Sequence, residues 1–299
     1  MPKGTDVYFF GLPVSGKTSL LMGLTGAEGK GCYIKFKAKG GSYAQALKKY
    51  VEAGVMPYSC PSNFISIVSA MIEEKRMGRN EKEVYWNHDV NFMELPCYKI
   101  ANNYTGSLFD MGVGTRDLLR NNNRKVFFII VDPTRDIFSF TFGKPKYDTN
   151  GTLINIDMKS ECVDQTCFLS RLIFLFELPE NKEFMKNVDA IHFIVTKADT
   201  LGRTDQERKE RARDLLLAKY QGPIQNLIAF CRCNRRINYV SDHLPMVYPF
   251  SLGRFSDNKS FEYDNRSSLA IIVALRHMTA AKKEGSFWDE LRDCLIKPL

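Results

Sequence analysis

Short apolar runs alternate along the chain with amphipathic stretches of helical period. The runs are compact, as the buried strands of a parallel sheet are, and they predict strands at residues 7–10, 126–131, 190–195 and 246–250. Helices are predicted between and after them, beginning near Lys17 and covering 164–177, 204–220, 265–278 and a terminal segment from Ser286. Strands that alternate with helices predict an α/β fold, a doubly wound, mostly parallel sheet with helices on both faces.

Residues 30–82 depart from this alternation and predict a helical insertion. Its two helices would cover 42–53 and about 63–77, where apolar residues recur at helical spacing. Pro57 and Pro61 break the chain between them.

The remaining segments carry weaker patterns. Residues 83–109 have strand-type sequence that predicts two strands or a hairpin, 115–122 a short helix, and 135–160 an irregular loop. We expect one domain over residues 1–265, including the insertion, with C-terminal helices over 266–299 packed on it.

Composition narrows the class of protein. The chain has 299 residues, 44% of them hydrophobic, and a net charge of +8, which argues against wholesale disorder. No apolar run approaches the roughly 18 residues of a membrane span, and the N-terminus lacks the apolar region of a signal peptide. The eight cysteines form no CxxC pair, which is typical of reduced thiols. These features predict a cytoplasmic protein without a transmembrane segment.

The strongest motif follows the first strand. Gly11-Leu-Pro-Val-Ser-Gly16-Lys17-Thr18 fits GxxxxGK[ST], with a strand before it and a helix after it. Backbone N–H groups and the helix N-terminus would hold phosphates, Lys17 would bridge the β- and γ-phosphates, and the Thr18 hydroxyl would bind Mg²⁺. The candidate nucleotide-binding residues of this loop are Gly11, Val14, Ser15, Gly16, Lys17, Thr18 and Ser19.

A second motif points to the base. Thr196-Lys197-Ala198-Asp199 ends the strand at 190–195, on the edge where ligands of such sheets bind. The Asp199 carboxylate could accept hydrogen bonds from N1–H and the exocyclic amine of guanine, and adenine offers no such pair of donors. The stem of Lys197 could cover the face of the base.

Together these residues resemble the TRAFAC-class P-loop GTPases. The family's order of motifs has four counterparts here: the phosphate loop, Asp110-Met-Gly112-Val-Gly114 after a strand, Thr196 to Asp199, and Ser251-Leu252-Gly253 after the strand at 246–250. The resemblance implies a G domain over residues 1–265. It implies that Lys17 and Asp110 are catalytic, that Thr18 and Asp110 hold Mg²⁺, that Gly112 meets the γ-phosphate, and that Ser251 and Leu252 contact guanine.

The chain also departs from this family. Asp132 ends a buried strand and is a rival metal acid, although the motif order favours Asp110. No Thr lies between Thr25 and Thr105 to act as the switch I ligand, which leaves Ser59 or Ser62 as substitutes. No Gln lies between Gln45 and Gln165 to orient water near Asp110, and Arg116 is better explained as a surface charge. Slow hydrolysis, or hydrolysis helped by a partner, is therefore expected.

Basic residues cluster in two places. They are Lys30, Lys35, Lys37, Lys39, Lys48 and Lys49, and then Arg232, Arg235 and Arg236. A surface for nucleic acid or anionic membrane is one interpretation, and a solvated face that also attracts nucleotide is the other. The second is favoured because no nucleic-acid-binding motif accompanies the charge.

The expected function is a GTP-binding protein that hydrolyses GTP to GDP slowly, depends on Mg²⁺ and acts as a conformational switch. The segments 30–82 and 133–165 would give specificity for a protein partner. Three alternatives remain open: a nucleotide-gated assembly or scaffold protein without efficient hydrolysis, a P-loop ATPase or kinase, and a nucleic-acid-binding module.

Overall fold

The computed structural model describes residues 4–28, 34–39, 41–57, 65–77, 83–95, 97, 100, 108, 121–147, 153–234, 246–257 and 259–280. Its strands are β1 (Thr5–Phe10), β2 (Ile34–Ala38), β3 (Ser66–Met77), β4 (Glu83–Glu94), β5 (Arg124–Val131), β6 (Ile137–Tyr147), β7 (Leu153–Asp164), β8 (Val188–Val195), β9 (Val247–Pro249), β10 (Gly253–Phe255) and β11 (Phe261–Tyr263). Its helices are α1 (Lys17–Gly26), α2 (Ser42–Ala53), α3 (Gln165–Glu177), α4 (Lys182–Met185), α5 (Asp205–Lys219), α6 (Gln221–Cys233) and α7 (Arg266–Ala280).

Seven strands form the main sheet, in the order β2-β3-β4-β1-β5-β8-β9. β4, β1, β5, β8 and β9 are parallel, and only β3 runs the other way, antiparallel to both of its neighbours. Because β1 lies at the centre, the loop that follows it reaches the middle of the carboxyl edge.

Each face of the sheet is covered by helices. Successive residues of β1 alternate between two cores: Val7 and Phe9 pack with α1, α2 and α7, whereas Tyr8 and Phe10 pack with α3, α5 and α6. All four side chains are fully buried, so β1 reads as a continuous apolar run rather than an alternating one. The predicted doubly wound α/β fold of P-loop proteins is therefore confirmed.

The prediction of a helix over 63–77 is wrong. Residues 66–77 form strand β3, and Val68, Ala70 and Ile72 are buried with the period of two that a strand requires. Apolar residues on the other face of β3 completed a pattern that also fits a helix. The described part of the insertion thus contributes one helix, α2, and two strands, β2 and β3, to the domain.

Two further segments differ from their predictions. In the segment 83–109, predicted to form two strands or a hairpin, residues 83–94 form the single strand β4, and most of 95–109 lies outside the described residues. Residues 135–160, predicted to be irregular, contain most of an antiparallel hairpin made by β6 and β7. The predicted helices at 115–122 and from Ser286 lie largely or wholly outside the described residues.

Candidate functional site

The loop that joins β1 to α1 places the predicted phosphate-binding residues. It runs from Gly11 to Gly16, and α1 begins with Lys17, Thr18 and Ser19. The backbone N–H of Leu20 donates to Gly16 O at 2.9 Å, which closes the first turn of α1. The N–H groups of the first residues of the helix therefore have no partner further back in the helix and can face a bound anion.

Two residues of this loop adopt left-handed backbone conformations. Gly16 has φ +100°, and a Cβ built on it would lie 2.9 Å from Thr196 Cγ2, so glycine is required by conformation and by space. Val14 has φ +58°, which β-branched residues rarely adopt. Strained backbone of this kind persists where the surroundings hold it and is concentrated at functional sites.

The side chain of Lys17 folds back over the loop. Its Nζ donates to the backbone oxygens of Gly11 at 2.8 Å and Leu12 at 2.9 Å, and the residue is buried. The Ser15 hydroxyl is fully buried, and it has no hydrogen-bond partner among the described residues. A held ammonium group and a buried hydroxyl without a partner, both at a helix N-terminus, fit a phosphate ligand.

An acidic residue that the sequence reasoning missed lies beside Thr18. The Thr18 hydroxyl is 2.9 Å from Oε1 and 3.2 Å from Oε2 of Glu94, and it donates to this carboxylate. Glu94 is the last residue of β4 and lies opposite Phe9 of β1, so the strand carries it to the phosphate loop. Hydroxyl and carboxylate oxygens suit Mg²⁺, and this pair therefore fits that ion. In the sequence, an acidic residue at the end of the strand next to β1 was the feature from which this residue could have been predicted.

A tyrosine from α2 contacts the same carboxylate. Tyr43 Oη donates to Glu94 Oε2 at 3.4 Å. Burial, followed by the nearby charge of Glu94, raises the pKa of Tyr43 to about 12. The sequence reasoning did not predict this contact.

The predicted base-reading loop is hydrogen-bonded to the phosphate loop. The Thr196 hydroxyl lies 2.7 Å from Ser15 O and 3.2 Å from Val131 O, and Thr196 is buried. The backbone N–H of Ala198 donates to Phe250 O at 3.0 Å, which attaches the same loop to the end of β9. The loop is thus fixed on both sides.

The third and fourth predicted motifs meet at Asp199. The Ser251 hydroxyl donates to Asp199 Oδ1 at 3.0 Å, and Asp199 is exposed. Ser267 of α7 holds Ser251 in place: its hydroxyl donates to Ser251 O at 2.7 Å and accepts from Ser251 N at 3.2 Å. Leu252 is buried in the core shared with α1 and α7.

Asp132, the rival metal acid, is engaged with the lysine of the base loop. Its Oδ2 forms an ion pair with Lys197 Nζ, and its Oδ1 accepts from Thr134 N at 2.9 Å and Thr134 Oγ1 at 2.6 Å. Asp132 is fully buried, whereas the side chain of Lys197 is 36% exposed. Of the two acids, Glu94 is the one that contacts Thr18.

The remaining candidates fall elsewhere. Asp110 and Gly112 lie outside the described residues, as do Ser59, Ser62 and Arg116, so their roles stay predictions.

Three of the clustered lysines are paired with acids: Lys37 with Glu73 at 3.0 Å, Lys39 with Asp89 at 2.6 Å, and Lys48 with Glu28 at 2.8 Å. This pairing reduces the positive potential of the first basic cluster and favours its interpretation as a solvated face.

Comparisons with known proteins give distant structural neighbours. The chain is similar to the signal recognition particle receptor SRb, solved with GTP and SRX from Chaetomium thermophilum, at 13% identity and a TM-score of 0.34, covering 91% of this chain and 99% of that one. It is also similar to putative nucleolar GTP-binding protein 1 from Plasmodium falciparum, at 12% identity and a TM-score of 0.36, covering 98% and 95%. Because both scores are low, we base the function on the site itself.

No family of known proteins matches the sequence, and no curated protein matches it either. Within the described ranges, every helix is too short or too polar to cross a membrane.

Proposed function

We propose that the protein binds GTP and GDP with Mg²⁺ at the carboxyl edge of its sheet and acts as a slow GTPase switch. The observation that carries this proposal is the hydrogen bond from Thr196 to Ser15 O, which holds the base-reading loop against the phosphate loop. A nucleotide has its base and its phosphates at opposite ends, and these two loops provide a fixed site for each.

Guanine selectivity would come from Asp199. Its carboxylate can accept both N1–H and the 2-amino group of guanine, and its hydrogen bond from Ser251 restricts its rotation. The stem of Lys197, whose ammonium is held by Asp132, would lie over the face of the base. A fixed carboxylate discriminates between the bases, because adenine has no N1–H and no 2-amino group to donate to it.

Phosphate binding would use the loop backbone and Lys17, whose ammonium neutralises phosphate charge. Thr18 and Glu94 would hold Mg²⁺, which on binding neutralises charge on the phosphate oxygens. No group of three or more His, Cys, Asp or Glu that could bind metal occurs among the described residues. This suits Mg²⁺, which is usually held by one or two carboxylates together with phosphates and water. Asp110 remains a second candidate for this role.

Hydrolysis is expected to be slow because the chain lacks a well-placed glutamine. Gln165, the next one after Gln45, is buried in the core: its Oε1 accepts from Asp132 N at 3.0 Å and its Nε2 donates to Tyr220 Oη at 2.6 Å. It therefore serves the structure of β5 and α3. A protein partner would supply or position the missing group, as partners do in related chemistry.

The domain boundaries and the cellular location complete the proposal. We propose a G domain over residues 1–265 with the C-terminal segment 266–299 packed on it, which the contact of Ser267 with Ser251 supports. We propose that it acts in the cytoplasm, which the free cysteines among the described residues support.

The test is calorimetric titration of the protein with GTP, GDP, ATP and XTP, each with Mg²⁺. We expect guanine nucleotides to bind and ATP not to bind. Asp199→Asn should weaken GTP and strengthen XTP binding, because an amide can donate to the 2-oxo group that xanthine carries in place of an amine. Lys17→Ala should abolish binding. Preferential binding of ATP by the wild-type protein contradicts the proposal.

A nucleotide-gated assembly protein without efficient hydrolysis is the second candidate. It is favoured by the engagement of Gln165 in the core, because its hydrogen bonds with Asp132 and Tyr220 withhold this glutamine from a water molecule at the phosphate loop. Single-turnover hydrolysis of bound GTP separates the two candidates. Hydrolysis of bound GTP that is faster than hydrolysis of GTP free in solution supports a GTPase. Bound GTP that is not hydrolysed faster supports the assembly protein.

A further inference from the structure

Helix α2 contacts the proposed metal site with its first turn. Tyr43, its second residue, donates to Glu94 Oε2 at 3.4 Å. Glu94 also accepts from the Thr18 hydroxyl of α1 at 2.9 Å. The Glu94 carboxylate therefore joins α2, α1 and β4 at one point.

The segment that follows α2 contacts the short hairpin next to the fourth motif. Gly54 O accepts from Phe261 N at 2.8 Å, and Met56 N donates to Lys259 O at 2.7 Å. Phe261 begins β11, which pairs with β10, and β10 starts at Gly253, directly after Leu252. The C-terminal end of α2 is thus anchored to this hairpin.

The body of α2 is packed tightly on α1. Leu47 and Val51 are buried, and a Cβ placed on Gly26 would lie 2.6 Å from Val51 Cγ1. Close packing of this kind transmits small displacements, because there is no free space to absorb them.

We propose that Tyr43 positions Glu94 for Mg²⁺ and thereby makes α2 the element that responds to the metal–nucleotide complex. A glutamate side chain has more rotatable bonds than an aspartate and loses more conformational entropy when it is fixed. Hydrogen bonds from Tyr43 and Thr18 fix this one in advance, so less is lost when the ion binds. The inference rests on the proposed function, because it requires Mg²⁺ at this carboxylate.

The test is Tyr43→Phe, which removes the hydroxyl and keeps the ring. Tyr50→Phe is the matched control, since Tyr50 is exposed on the same helix. With a fluorescent GDP analogue bound, Mg²⁺ is titrated and the midpoint recorded. We expect Tyr43→Phe to raise the midpoint about two- to tenfold, the effect of losing one hydrogen bond of ordinary strength. The nucleotide affinity of Tyr43→Phe in EDTA should equal that of the wild type. The Mg²⁺ midpoint of Tyr50→Phe should also equal that of the wild type.

Two further measurements separate positioning from a general loss of structure. In a Glu94→Gln background, Tyr43→Phe should add less than twofold, because the two groups act as a unit. Hydrogen exchange of α2 should slow when Mg²⁺ joins GDP in the wild type and should not change in Tyr43→Phe.

An unchanged midpoint in Tyr43→Phe, or an equal shift in Tyr50→Phe, overturns the inference while leaving the proposed function intact. Absence of GTP and GDP binding by the wild type overturns both.

Discussion

The Thr196 hydroxyl donates a hydrogen bond of 2.7 Å to the backbone oxygen of Ser15, 181 residues earlier in the chain. The same hydroxyl lies 3.2 Å from Val131 O, at the end of β5. One buried side chain therefore fixes the distance between the phosphate loop and the base loop. Because a Cβ on Gly16 would lie 2.9 Å from Thr196 Cγ2, the contact has both polar and steric components.

Removal of this hydroxyl is expected to weaken the binding of every nucleotide. Thr196→Val leaves Ser15 O without its donor, and a lost hydrogen bond in a buried place costs about 1–3 kcal/mol, or roughly 5- to 150-fold in affinity if the cost falls on binding. GTP, GDP and XTP affinities, measured by calorimetry, should fall together. Thr196→Ser keeps the hydroxyl and should stay within about threefold of the wild type. A loss confined to guanine nucleotides would contradict this account.

Gly16→Ala is expected to destabilise the fold as well as the site. Alanine would have to adopt φ +100°, and its Cβ would lie 2.9 Å from Thr196 Cγ2. Holding a residue in such a backbone conformation costs about 1–3 kcal/mol. Gly222→Ala is the control, since its Cβ would meet nothing within 4 Å in helix α6. That change should stabilise by up to about 1 kcal/mol. Urea unfolding measures the change in the free energy of unfolding of each variant, and the two changes should have opposite signs. Equal changes would refute the steric argument.

The ion pair between Asp132 and Lys197 is expected to contribute to stability. Losing one partner of a buried pair costs about 3–5 kcal/mol, and the 36% exposure of Lys197 reduces this to roughly 1–3 kcal/mol for Asp132→Asn. Asp136→Asn breaks the exposed pair with Lys219 and should change stability by less than about 1 kcal/mol. Denaturant unfolding compares them, and a smaller loss in Asp132→Asn than in Asp136→Asn would show that the pair is only a surface contact.

Thiol reactivity should divide the cysteines by burial. Burial raises the pKa of Cys231 to about 12 and raises that of Cys97, so both stay protonated at pH 8, below the raised pKa. The thiolate is the reactive form, and neither buried thiol should be alkylated in the native protein. Exposed Cys233 should react, and all three should react in urea. Mass spectrometry of the labelled protein locates the modified residues; alkylation of native Cys231 as fast as Cys233 would contradict its burial.

The parts of the site that sequence could predict are those built from contiguous residues. The phosphate loop and the Thr196 to Asp199 loop each form a local structure, so their pattern identifies them without knowledge of the sheet. Glu94 has no such pattern. It reaches Thr18, 76 residues away, only because β4 pairs with β1 in one register. Because residues 66–77 were predicted to be a helix, the strand that pairs with β4 was missing from the predicted sheet. The register of β4 could therefore not be inferred from its neighbour.

The fold was predictable at its centre and less so at its edge. β1 and β5 carry unbroken apolar runs at 7–10 and 126–131 because helices cover both faces, and such runs have few alternative interpretations. β3 lies near the edge and carries Glu73 and Glu74 beside its apolar residues. Its mixed sequence fits a helix as well as a strand, and only the pairing with β2 and β4 decides.

The identity of the metal acid is the remaining prediction, and paired variants test it. Glu94→Gln keeps the size and the hydrogen-bonding oxygen of the side chain but removes the charge that Mg²⁺ requires. We expect it to raise the Mg²⁺ midpoint for a bound GDP analogue at least tenfold, or about 1.4 kcal/mol, and to leave binding in EDTA unchanged.

Asp110→Asn is the counterpart, since the resemblance to GTPases gives that residue the same role. If Glu94 holds the ion, Asp110→Asn should shift the midpoint by less than about twofold, because the change removes no metal ligand. A large shift in Asp110→Asn together with a small one in Glu94→Gln would assign the metal to Asp110. The hydrogen bond from Thr18 to Glu94 would then be a contact that the nucleotide replaces.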